Sequence, residues 1–472
     1  MDGEKVSARQ APKLLPPEER VRTFREVNLG YTEEQAKKEA SRCLQCPKAY
    51  CMTGCPANVK IPQFVNEIRK GDYKRAIEII CETNSLPAIT GRICQVEMQC
   101  EKACILNKKA APISIGLLER FVADVALKKG WKKLTCKPSN GRKVAVVGSG
   151  PAGLTVAGDL IKLGYEVKVF EAFHKPGGVL VYGIPAFRLP KDVIEKEIKT
   201  LEEAGVKIFK NVFVGKTITL SELFEEGYDA IFIGIGAGAP IILNIPGVNL
   251  NGVYTANEFL VRSVLMNAYL FPKYDTPIDV GRKVVIIGGG NTAVDSARVA
   301  VRLGAEEVTI VYRRSEEDMP ARREEILRAK EEGVKVLPLV SPVKFIGDVD
   351  KHVTKLETLR NQLTTIDSTG RPTPIPIKGS NFFIDADMAI LAIGQKANKL
   401  FTQTVPEIKL DRDGYIVVDY GAKTSLDRVW AGGDIIGGTA TVIQAIGDGK
   451  RAASNMDKTL REKHAIDMVT YR

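Results

Sequence analysis

The chain has 472 residues, more than one hydrophobic core usually holds, so two or three domains are expected. Apolar residues make up 44% of the sequence and charged residues 26%, which is the composition of an ordinary soluble globular protein. The longest apolar run is too short and too interrupted for a membrane span, and no basic stretch followed by an apolar run opens the chain. We therefore expect a cytoplasmic protein with no membrane or nucleic-acid partner.

The net charge of +11 is concentrated towards the N-terminus. Residues 1–140 contain 25 Lys and Arg against 16 Asp and Glu, which leaves a net charge of +2 for the rest of the chain. Two interpretations remain open at this point. The basic region is either a solvated surface, such as a heat-adapted protein has, or a docking face for an acidic partner such as a ferredoxin.

All nine cysteines lie at or before Cys136, so none remains for the redox disulfide of a disulfide reductase, and a mechanism of the thioredoxin reductase type is excluded. Seven cysteines form two groups, and the first group has the spacing Cys-x2-Cys-x4-Cys-x3-Cys-Pro. This is close to the ferredoxin pattern in which the last thiolate binds a different iron–sulfur cluster from the first three. Zinc is the alternative, but seven ligands exceed one zinc site and the Cys-Pro pair favours iron–sulfur. The two groups are Cys43, Cys46, Cys51 and Cys55, and Cys94, Cys100 and Cys104.

Two cubane clusters need eight ligands, and the two groups supply seven. Cys81 is one candidate for the eighth, but it continues the apolar stripe of a helix that Asp72 can cap, which favours a buried thiol. Glu119, on a second helix that Ser114 can cap, is the other candidate. Spacing alone does not decide between them. Cys136 lies beside a Lys-rich linker and is expected to be a bystander.

A dinucleotide-binding unit begins at residue 144, where four β-favouring residues lead into Gly-x-Gly-x-x-Gly, a helical stretch, a second strand and an acid. The first glycine permits a tight turn, the second lets the backbone approach a pyrophosphate, and the third lets helix and strand pack closely. The helix N-terminus attracts the phosphates, and the acid stands where a carboxylate binds the adenosine ribose. These residues are Gly148, Gly150, Gly153 and Glu171.

Later stretches extend this first unit. A turn containing Gly178 can bring the backbone close to a flat ring system. A strand from residue 429 ends at Gly433 and Asp434, and such an acid can bind the ribityl hydroxyls of a flavin. A helix beginning near Thr441 can direct its N-terminus at the flavin ring and stabilise negative charge there.

The same design recurs from residue 284, with alanine in place of the third glycine. Gly288 and Gly290 form the turn, and Asn291 begins the helix. The second strand of this unit ends in Arg313 and Arg314 instead of an acid. A guanidinium binds the 2′-phosphate that an acid would repel, so the unit is predicted to prefer NADP over NAD. The alternative is that both arginines are merely solvated.

Together these motifs resemble the small (β) subunit of NADPH-dependent glutamate synthase. They are about equally similar to the large subunit of NADH-dependent ferredoxin:NADP oxidoreductase, also called sulfide dehydrogenase, and the N-terminal part of dihydropyrimidine dehydrogenase shares the pattern. The resemblance covers nearly the whole chain. Besides the cysteine run it rests on Gly-Ile-Pro-x-Phe-Arg-Leu-Pro-Lys at 183–191, Tyr-Arg-Arg at 312–314, Met-Pro-Ala at 319–321 and Gly-Gly-Asp at 432–434.

The resemblance implies FAD in the first unit, NADPH in the second, and two [4Fe–4S] clusters with crossed ligation. It also favours Glu119 over Cys81, because Glu119 falls where the family has a non-cysteine ligand. The implied ligand sets are Cys43, Cys46, Cys51 and Cys104 for one cluster, and Cys55, Cys94, Cys100 and Glu119 for the other.

The expected fold is α/β, with two nested Rossmann-like units of the glutathione-reductase type preceded by an α-helical two-cluster domain. We predict an iron–sulfur domain at 1–138, an FAD domain at 139–272 and 405–472, and an NADP domain at 273–404.

The expected activity passes a hydride from NADPH to FAD and then single electrons through the clusters to a second subunit. That partner is either a glutamate synthase large subunit, which makes glutamate, or a ferredoxin or an NADH-oxidising small subunit. No side chain is assigned a catalytic role, because the three histidines lie in no triad setting; a non-catalytic nucleotide sensor is the alternative from another class.

Overall fold

Helices form the first part of the chain, and the first extended strand begins only at Lys143. The computed structural model describes residues 8–367, 370–438 and 441–470. Its α-helices, in chain order, are α1 Pro17–Arg20, α2 Glu33–Ser41, α3 Tyr50–Thr53, α4 Ile61–Lys70, α5 Tyr73–Cys81, α6 Pro87–Ile93, α7 Ile115–Lys129, α8 Pro151–Lys162, α9 Val179–Tyr182, α10 Lys191–Glu203, α11 Leu220–Glu225, α12 Ala256–Leu260, α13 Asn291–Arg302, α14 Arg323–Glu331, α15 Lys399–Thr402 and α16 Val442–Thr470.

The strands fall into parallel and antiparallel sets. In chain order they are β1 Lys143–Val147, β2 Glu166–Glu171, β3 Lys207–Lys210, β4 Ala230–Ile233, β5 Ala239–Pro240, β6 Val253–Thr255, β7 Lys283–Ile287, β8 Glu307–Val311, β9 Lys335–Leu337, β10 Val340–Gly347, β11 Val353–Ile366, β12 Pro372–Pro376, β13 Phe382–Asp385, β14 Met388–Leu391, β15 Gln395–Lys396 and β16 Val429–Ala431.

Helix starts in the N-terminal domain follow local capping chemistry. The side chain of Asp72 accepts a hydrogen bond from the backbone N–H of Arg75 at 2.9 Å, which confirms the predicted cap of α5. Ser114 does stand directly before α7, but its side chain makes no capping hydrogen bond, so that predicted cap is wrong. Instead, the backbone N–H of Ser114 donates to the buried carboxylate of Glu39 at 2.9 Å.

Two parallel sheets carry the two nucleotide units. The first has the order β16-β4-β1-β2-β3, and the second has the order β6-β14-β7-β8-β9. The buried apolar strands of the first sheet pack against helices such as α8 and α10, whereas the second sheet packs against helices on one face and against β10 and β11 on the other. The antiparallel strands β10 to β13 extend the second unit, and this architecture confirms the expected fold class.

The chain passes from one nucleotide unit to the other at positions that differ from the predicted domain boundaries, 272/273 and 404/405. β6, at residues 253–255, pairs with β14 in the second sheet, although the prediction assigned it to the first unit. On the return, Phe401 and Val405 pack into the core of the first unit. The chain crosses between the units at the antiparallel pair of β5 and β15. The sequence around β6 could not reveal this, because a three-residue strand fits either sheet.

The helical domain and the first nucleotide unit share one continuous apolar core. Side chains of α6 and α7 belong to the same cluster of buried residues as those of β1, α8 and α10. At this junction the buried carboxylate of Glu197 accepts a hydrogen bond from the backbone N–H of Ala88 at 2.8 Å and pairs with Lys132. Lys132 also donates to the carbonyl of Ser85 at 2.8 Å.

Among the helices that the structure describes, none is long and apolar enough to cross a membrane.

Candidate cofactor sites

β1 ends in a tight turn that needs glycine. Gly148 has a φ of +95°, and a Cβ atom at Gly153 would lie 2.0 Å from the carbonyl oxygen of Gly148. α8 begins directly after Gly150, so its free N–H groups lie at the carboxyl edge of the sheet. This turn fits the diphosphate of a dinucleotide, because backbone donors and the positive end of the helix dipole meet where no side chain intrudes.

Glu171 lies at the end of β2, and its buried carboxylate joins the first glycine turn to the loop that follows β2. One oxygen accepts hydrogen bonds from the hydroxyl and the backbone N–H of Ser149, the latter at 2.9 Å. The other oxygen accepts from the N–H of Phe173 at 2.9 Å. The Ser149 hydroxyl in turn accepts from the N–H of Gly177 at 2.9 Å. The predicted ribose-binding acid is therefore oriented by the glycine turn itself.

The turn at Gly178 lies against the first glycine turn and is supported by a lysine that the sequence analysis missed. A Cβ atom at Gly178 would lie 2.9 Å from the Cα of Gly150. The Nζ of Lys191 donates hydrogen bonds to the carbonyls of Leu180 at 2.9 Å and Ile184 at 2.5 Å. Burial lowers the pKa of Lys191 to about 7. The available signal was a lysine that follows a proline at the end of the motif 183–191.

Asp434 follows β16 at the same edge of the sheet as Gly148. Gly433 has a φ of +75° and donates its N–H to the carboxylate of Asp448 at 3.2 Å. Burial, and then the neighbouring Asp448, raise the pKa of Asp434. The hydroxyl of Thr441 accepts from the backbone N–H of Gln444 at 3.3 Å, at the start of α16. The predicted acid and the predicted helix start thus lie on one side of the first unit.

The second glycine turn repeats the geometry of the first. Gly288 has a φ of +140°, and a Cβ atom there would lie 2.2 Å from the carbonyl oxygen of Ala392. α13 begins directly after Gly290. The side-chain oxygen of Asn291 accepts a hydrogen bond from the backbone N–H of Arg322 at 3.0 Å. Asn291 therefore ties the turn to the segment that follows Met-Pro-Ala.

The two arginines after β8 have different surroundings. Arg313 is exposed, so its guanidinium is accessible to a nucleotide. Arg314 is buried, and its guanidinium donates to the carbonyl of Pro372 and to the carboxylate of Asp367, both at 2.7 Å. The sequence analysis treated the pair as equivalent. Asp367, the partner of Arg314, lies 53 residues further along the chain, and the sequence analysis missed it because no local pattern indicates so distant a contact.

Four of the predicted cluster ligands line one cavity, which we call the outer cysteine group: Cys43, Cys46, Cys51 and Cys104. All four are half-buried. Burial, and then the neighbouring Cys104 and Cys43 thiols, raise the pKa of Cys51 to about 12. Burial and neighbouring thiols disfavour the thiolate form, and the positive charge of the irons of a bound cluster would stabilise it.

The other four, which we call the inner group, also influence one another: Cys55, Cys94, Cys100 and Glu119. Burial, and then the Glu119 carboxylate and the Cys55 thiol, raise the pKa of the Cys94 thiol. Burial also raises the pKa of Glu119 to about 7, although hydrogen bonds from Thr90 at 2.9 Å and Asn84 at 2.8 Å oppose the rise. These two donors fix the orientation of the carboxyl group.

Cys81 lies elsewhere, buried at the end of α5. The charges that most affect its pKa are those of Lys132, Glu197 and Lys162, at the junction with the first nucleotide unit. Cys136 is exposed.

Within the described residues, no three His, Cys, Asp or Glu side chains converge as they would on a single metal ion. A cubane differs in this respect, because each ligand binds a different iron atom.

The inner group lies close to the helix that follows Asp434. A Cβ atom at Gly447, on α16, would lie 3.0 Å from the Cβ of Pro56, the residue after Cys55. The first turns of α16 therefore pass directly by a predicted ligand of the inner group. Because Asp448 of the same helix accepts a hydrogen bond from Gly433, next to the predicted flavin acid, the inner group is adjacent to the first nucleotide unit.

Comparison with known proteins agrees with this arrangement. Residues 20–131 match the family described as dihydropyrimidine dehydrogenase domain II, 4Fe-4S cluster, and residues 142–449 match the family described as pyridine nucleotide-disulphide oxidoreductase. The glutamate synthase [NADPH] small chain of Azospirillum brasilense is 36% identical over 466 residues, which cover 97% of this chain and 96% of that one. The chain belongs to the glutamate synthase small-chain family.

Members of the glutamate synthase small-chain family share their fold with other oxidoreductases. The NADP(+)-dependent formate dehydrogenase subunit beta of Moorella thermoacetica is 35% identical over 439 residues, 88% of this chain and 60% of that protein. The structure of Mycobacterium tuberculosis FprA in complex with NADPH is 22% identical, covers 70% of this chain and 86% of that chain, and superposes with a TM-score of 0.57, which indicates a common fold. The predicted family, fold and oxidoreductase class are confirmed, with a 4Fe-4S domain ahead of an FAD- and NADPH-binding oxidoreductase fold.

Proposed function

We propose that this chain takes a hydride from NADPH onto FAD and passes single electrons through two [4Fe–4S] clusters to a partner subunit that makes glutamate. The observation that carries the proposal is the division of eight candidate ligands into two groups of four, with the inner group against α16. FAD and the clusters supply the change from two-electron to one-electron chemistry when they are bound. The chain itself binds, orients and insulates them, which suits a site without an acid–base triad.

The proposed site residues are those of the sequence analysis. Arg313 has the leading role in reading the 2′-phosphate, because it is exposed, whereas the guanidinium of Arg314 is bonded to Pro372 and Asp367. FAD is assigned to Gly148, Gly150, Gly153, Glu171, Gly178, Gly433, Asp434 and Thr441; NADPH to Gly288, Gly290, Asn291, Arg313 and Arg314; one cluster to Cys43, Cys46, Cys51 and Cys104; and the other to Cys55, Cys94, Cys100 and Glu119.

The proposed domain limits follow the strand pairing. The iron–sulfur domain ends at 138, the first crossing between nucleotide units is at 239–240, and the return is at 395–396. A cytoplasmic location is supported by the nine cysteines, all within the described residues, which form no disulfide. In an oxidising compartment such a set of thiols would tend to pair.

Anaerobic titration with NADPH, followed by visible absorption, tests the proposal. We expect one FAD and about eight irons per chain, and bleaching of the flavin band by NADPH. Stoichiometric zinc without acid-labile sulfide would rule out the cluster assignment. A flavin that binds but is not bleached by NADPH would favour the non-catalytic nucleotide sensor.

A second candidate is the large subunit of an NADH-dependent ferredoxin:NADP oxidoreductase. Exposed lysines beside the outer cysteine group favour it, because ferredoxins are acidic partners. Reconstitution separates the two candidates. Glutamate formation from glutamine and 2-oxoglutarate with a glutamate synthase large chain supports the first, and NADP-linked ferredoxin turnover with an NADH-oxidising subunit supports the second.

A further inference from the structure

A segment of the second nucleotide unit contacts the chain on both sides of Cys94, a predicted ligand of the inner group. The guanidinium of Arg322 donates a hydrogen bond to the carbonyl of Arg92 at 2.8 Å. The carbonyl of Pro320 accepts a hydrogen bond from the side chain of Gln95 at 3.0 Å. These bonds join residues that are 230 and 225 positions apart. The second unit therefore lies directly against the segment that supplies Cys94.

Arg322 is also bonded to the second glycine turn. Its backbone N–H donates to the side-chain oxygen of Asn291 at 3.0 Å, and Asn291 is the first residue of α13 after Gly290. One residue thus bonds through its main chain to the predicted NADPH turn and through its side chain to the Cys94 segment. Two successive hydrogen bonds connect the predicted nucleotide site with the predicted cluster site.

The side chain of Arg322 places a buried positive charge close to Cys94. Both residues line one cavity between the helical domain and the second unit, and each is only 8% exposed. The Glu97 carboxylate lies 3.7 Å from the Nε of Arg322, and the Glu324 carboxylate lies 3.4 Å from a terminal nitrogen. Among the described residues, no group accepts a hydrogen bond from this Nε. Burial is the main cause that raises the pKa of the Cys94 thiol, and the Arg322 guanidinium opposes the rise.

From these contacts we infer that Arg322 is a positioning residue for the cluster of the inner group: it fixes the Cys94 segment against the second nucleotide unit, and its positive charge makes that cluster easier to reduce. The inference rests on the proposed function and adds a residue of the second unit to the surroundings of the cluster. Reduction adds one electron, and therefore one negative charge, which a buried cation nearby stabilises. Glu97 and Glu324 offset this effect only in part, because their side chains are 27% and 41% exposed and water screens their charges more.

A redox titration of the holoenzyme tests the inference. Potentials are set with titanium(III) citrate, and the two clusters are followed separately by electron paramagnetic resonance. We expect Arg322→Gln to lower the equilibrium constant for one-electron reduction of the inner cluster by about tenfold, which corresponds to about 59 mV, and to leave the outer cluster unchanged. Arg322→Lys keeps the charge and should recover most of the loss. Cys94→Ser identifies the inner cluster, because it alters the signal of the cluster that Cys94 binds.

Arg323→Gln is the matched control. Arg323 is the next residue in the chain, but its side chain is exposed and donates to the carbonyl of Glu317 at 2.6 Å. Its contact with the Cys94 segment is made by the backbone N–H, which donates to Glu97 at 3.1 Å and is retained in the variant. Arg323→Gln should leave the equilibrium constants for reduction of both clusters within about twofold of the wild type. Equal shifts in Arg322→Gln and Arg323→Gln would overturn the inference.

Glu97→Gln should have an effect of the opposite sign. It removes the negative charge beside Arg322, so the inner cluster should become easier to reduce, by a smaller factor because Glu97 is more exposed. This variant and Arg322→Lys still decide the question if Arg322→Gln does not retain its clusters. An inner cluster that Glu97→Gln makes harder to reduce, or that Arg322→Gln leaves unchanged, overturns the inference alone. A wild type that binds no [4Fe–4S] cluster overturns the proposed function, and the inference with it.

Discussion

The guanidinium of Arg188 lies 2.5 Å from the carboxylate of Asp295, and both side chains are at least nine-tenths buried. Arg188 belongs to the loop before α10 in the first unit, and Asp295 belongs to the first turns of α13 in the second. The Nε of Arg188 also lies 3.5 Å from Glu325 of α14. A single arginine thus joins the first nucleotide unit to two helices of the second.

Removing one partner of this pair should be costly. Arg188→Ala would leave the Asp295 carboxylate buried without its cation, so we expect a loss of about 3–5 kcal/mol in the free energy of unfolding. Arg188→Met combined with Asp295→Leu should lose less, because it removes both charges. Chemical denaturation measures both. The control is Arg282→Ala, which breaks an exposed pair with Glu306 and should leave the free energy of unfolding nearly unchanged. Equal effects of Arg188→Ala and Arg282→Ala would contradict this prediction.

Arg313 and Arg314 should separate in their effects on nucleotide choice. Arg313→Ala should weaken NADPH binding about ten- to a hundredfold, from the loss of about 1.5–3 kcal/mol in a charge-assisted contact, and should leave NADH binding nearly unchanged. Arg314→Ala should mainly lower stability, because it removes two buried hydrogen bonds, to Asp367 and to the carbonyl of Pro372. Dissociation constants for both nucleotides measure this. If Arg313→Ala weakens NADPH and NADH equally, Arg313 does not read the 2′-phosphate.

The eighth cluster ligand can be identified with two variants. Glu119→Ala should remove one cluster or change its electron paramagnetic resonance signal, because a carboxylate is a harder ligand than a thiolate and sets a different potential. Cys81→Ala should reduce stability through lost packing and leave the iron content intact. Iron analysis and spectra of the dithionite-reduced proteins provide the measurement. Loss of a cluster in Cys81→Ala, with both signals intact in Glu119→Ala, would mean that four cysteines bind the second cluster.

Lys191 should make stability depend on pH. Its folded-state pKa is lowered to about 7 by burial, whereas an unfolded lysine titrates near 10.4. Between these values the unfolded chain binds more protons, so the Lys191 contribution rises with pH by up to about 1.4 kcal/mol per unit and is lost as pH falls through 7. The free energy of unfolding of the wild type, minus that of Lys191→Met, should therefore rise from pH 7 to pH 9. A difference that is constant with pH would show that Lys191 keeps its ordinary pKa.

Local patterns predicted those parts of the molecule that depend on neighbours in sequence. The turns at Gly148 and Gly288 could be read because strand, glycine spacing and helix all lie within about 20 residues. The Asp72 cap joins a side chain to a backbone N–H only three positions further along the chain. In the same way, cysteine spacing indicated two clusters, but it could not choose between Cys81 and Glu119, since that choice depends on where α5 and α7 pack.

Contacts between distant segments were beyond the sequence. The pairing of β6 with β14 joins residues 136 positions apart, and no change in composition marks the passage between the units at β5. Arg313 and Arg314 are neighbours of the same residue type. Packing against the segments at β11 and β12 buries Arg314, whereas Arg313 stays exposed. The role of Lys191 depends on the carbonyls of Leu180 and Ile184, which the fold brings within hydrogen-bond distance of its Nζ.

The unequal attachment of the two nucleotide units has a mechanical consequence. The helical domain and the first unit are fused by one apolar core and by the buried Glu197 and Lys132, whereas the chain passes to the second unit through the two-residue strands β5 and β15. A close-packed core resists deformation, so we expect the helical domain and the first unit to move as one body. A hinge opening at β5 and β15 would strain the Arg188–Asp295 pair, and also the Arg20–Glu331 pair that joins the helical domain to α14. The spacing between the inner and outer groups would then stay constant through such a movement.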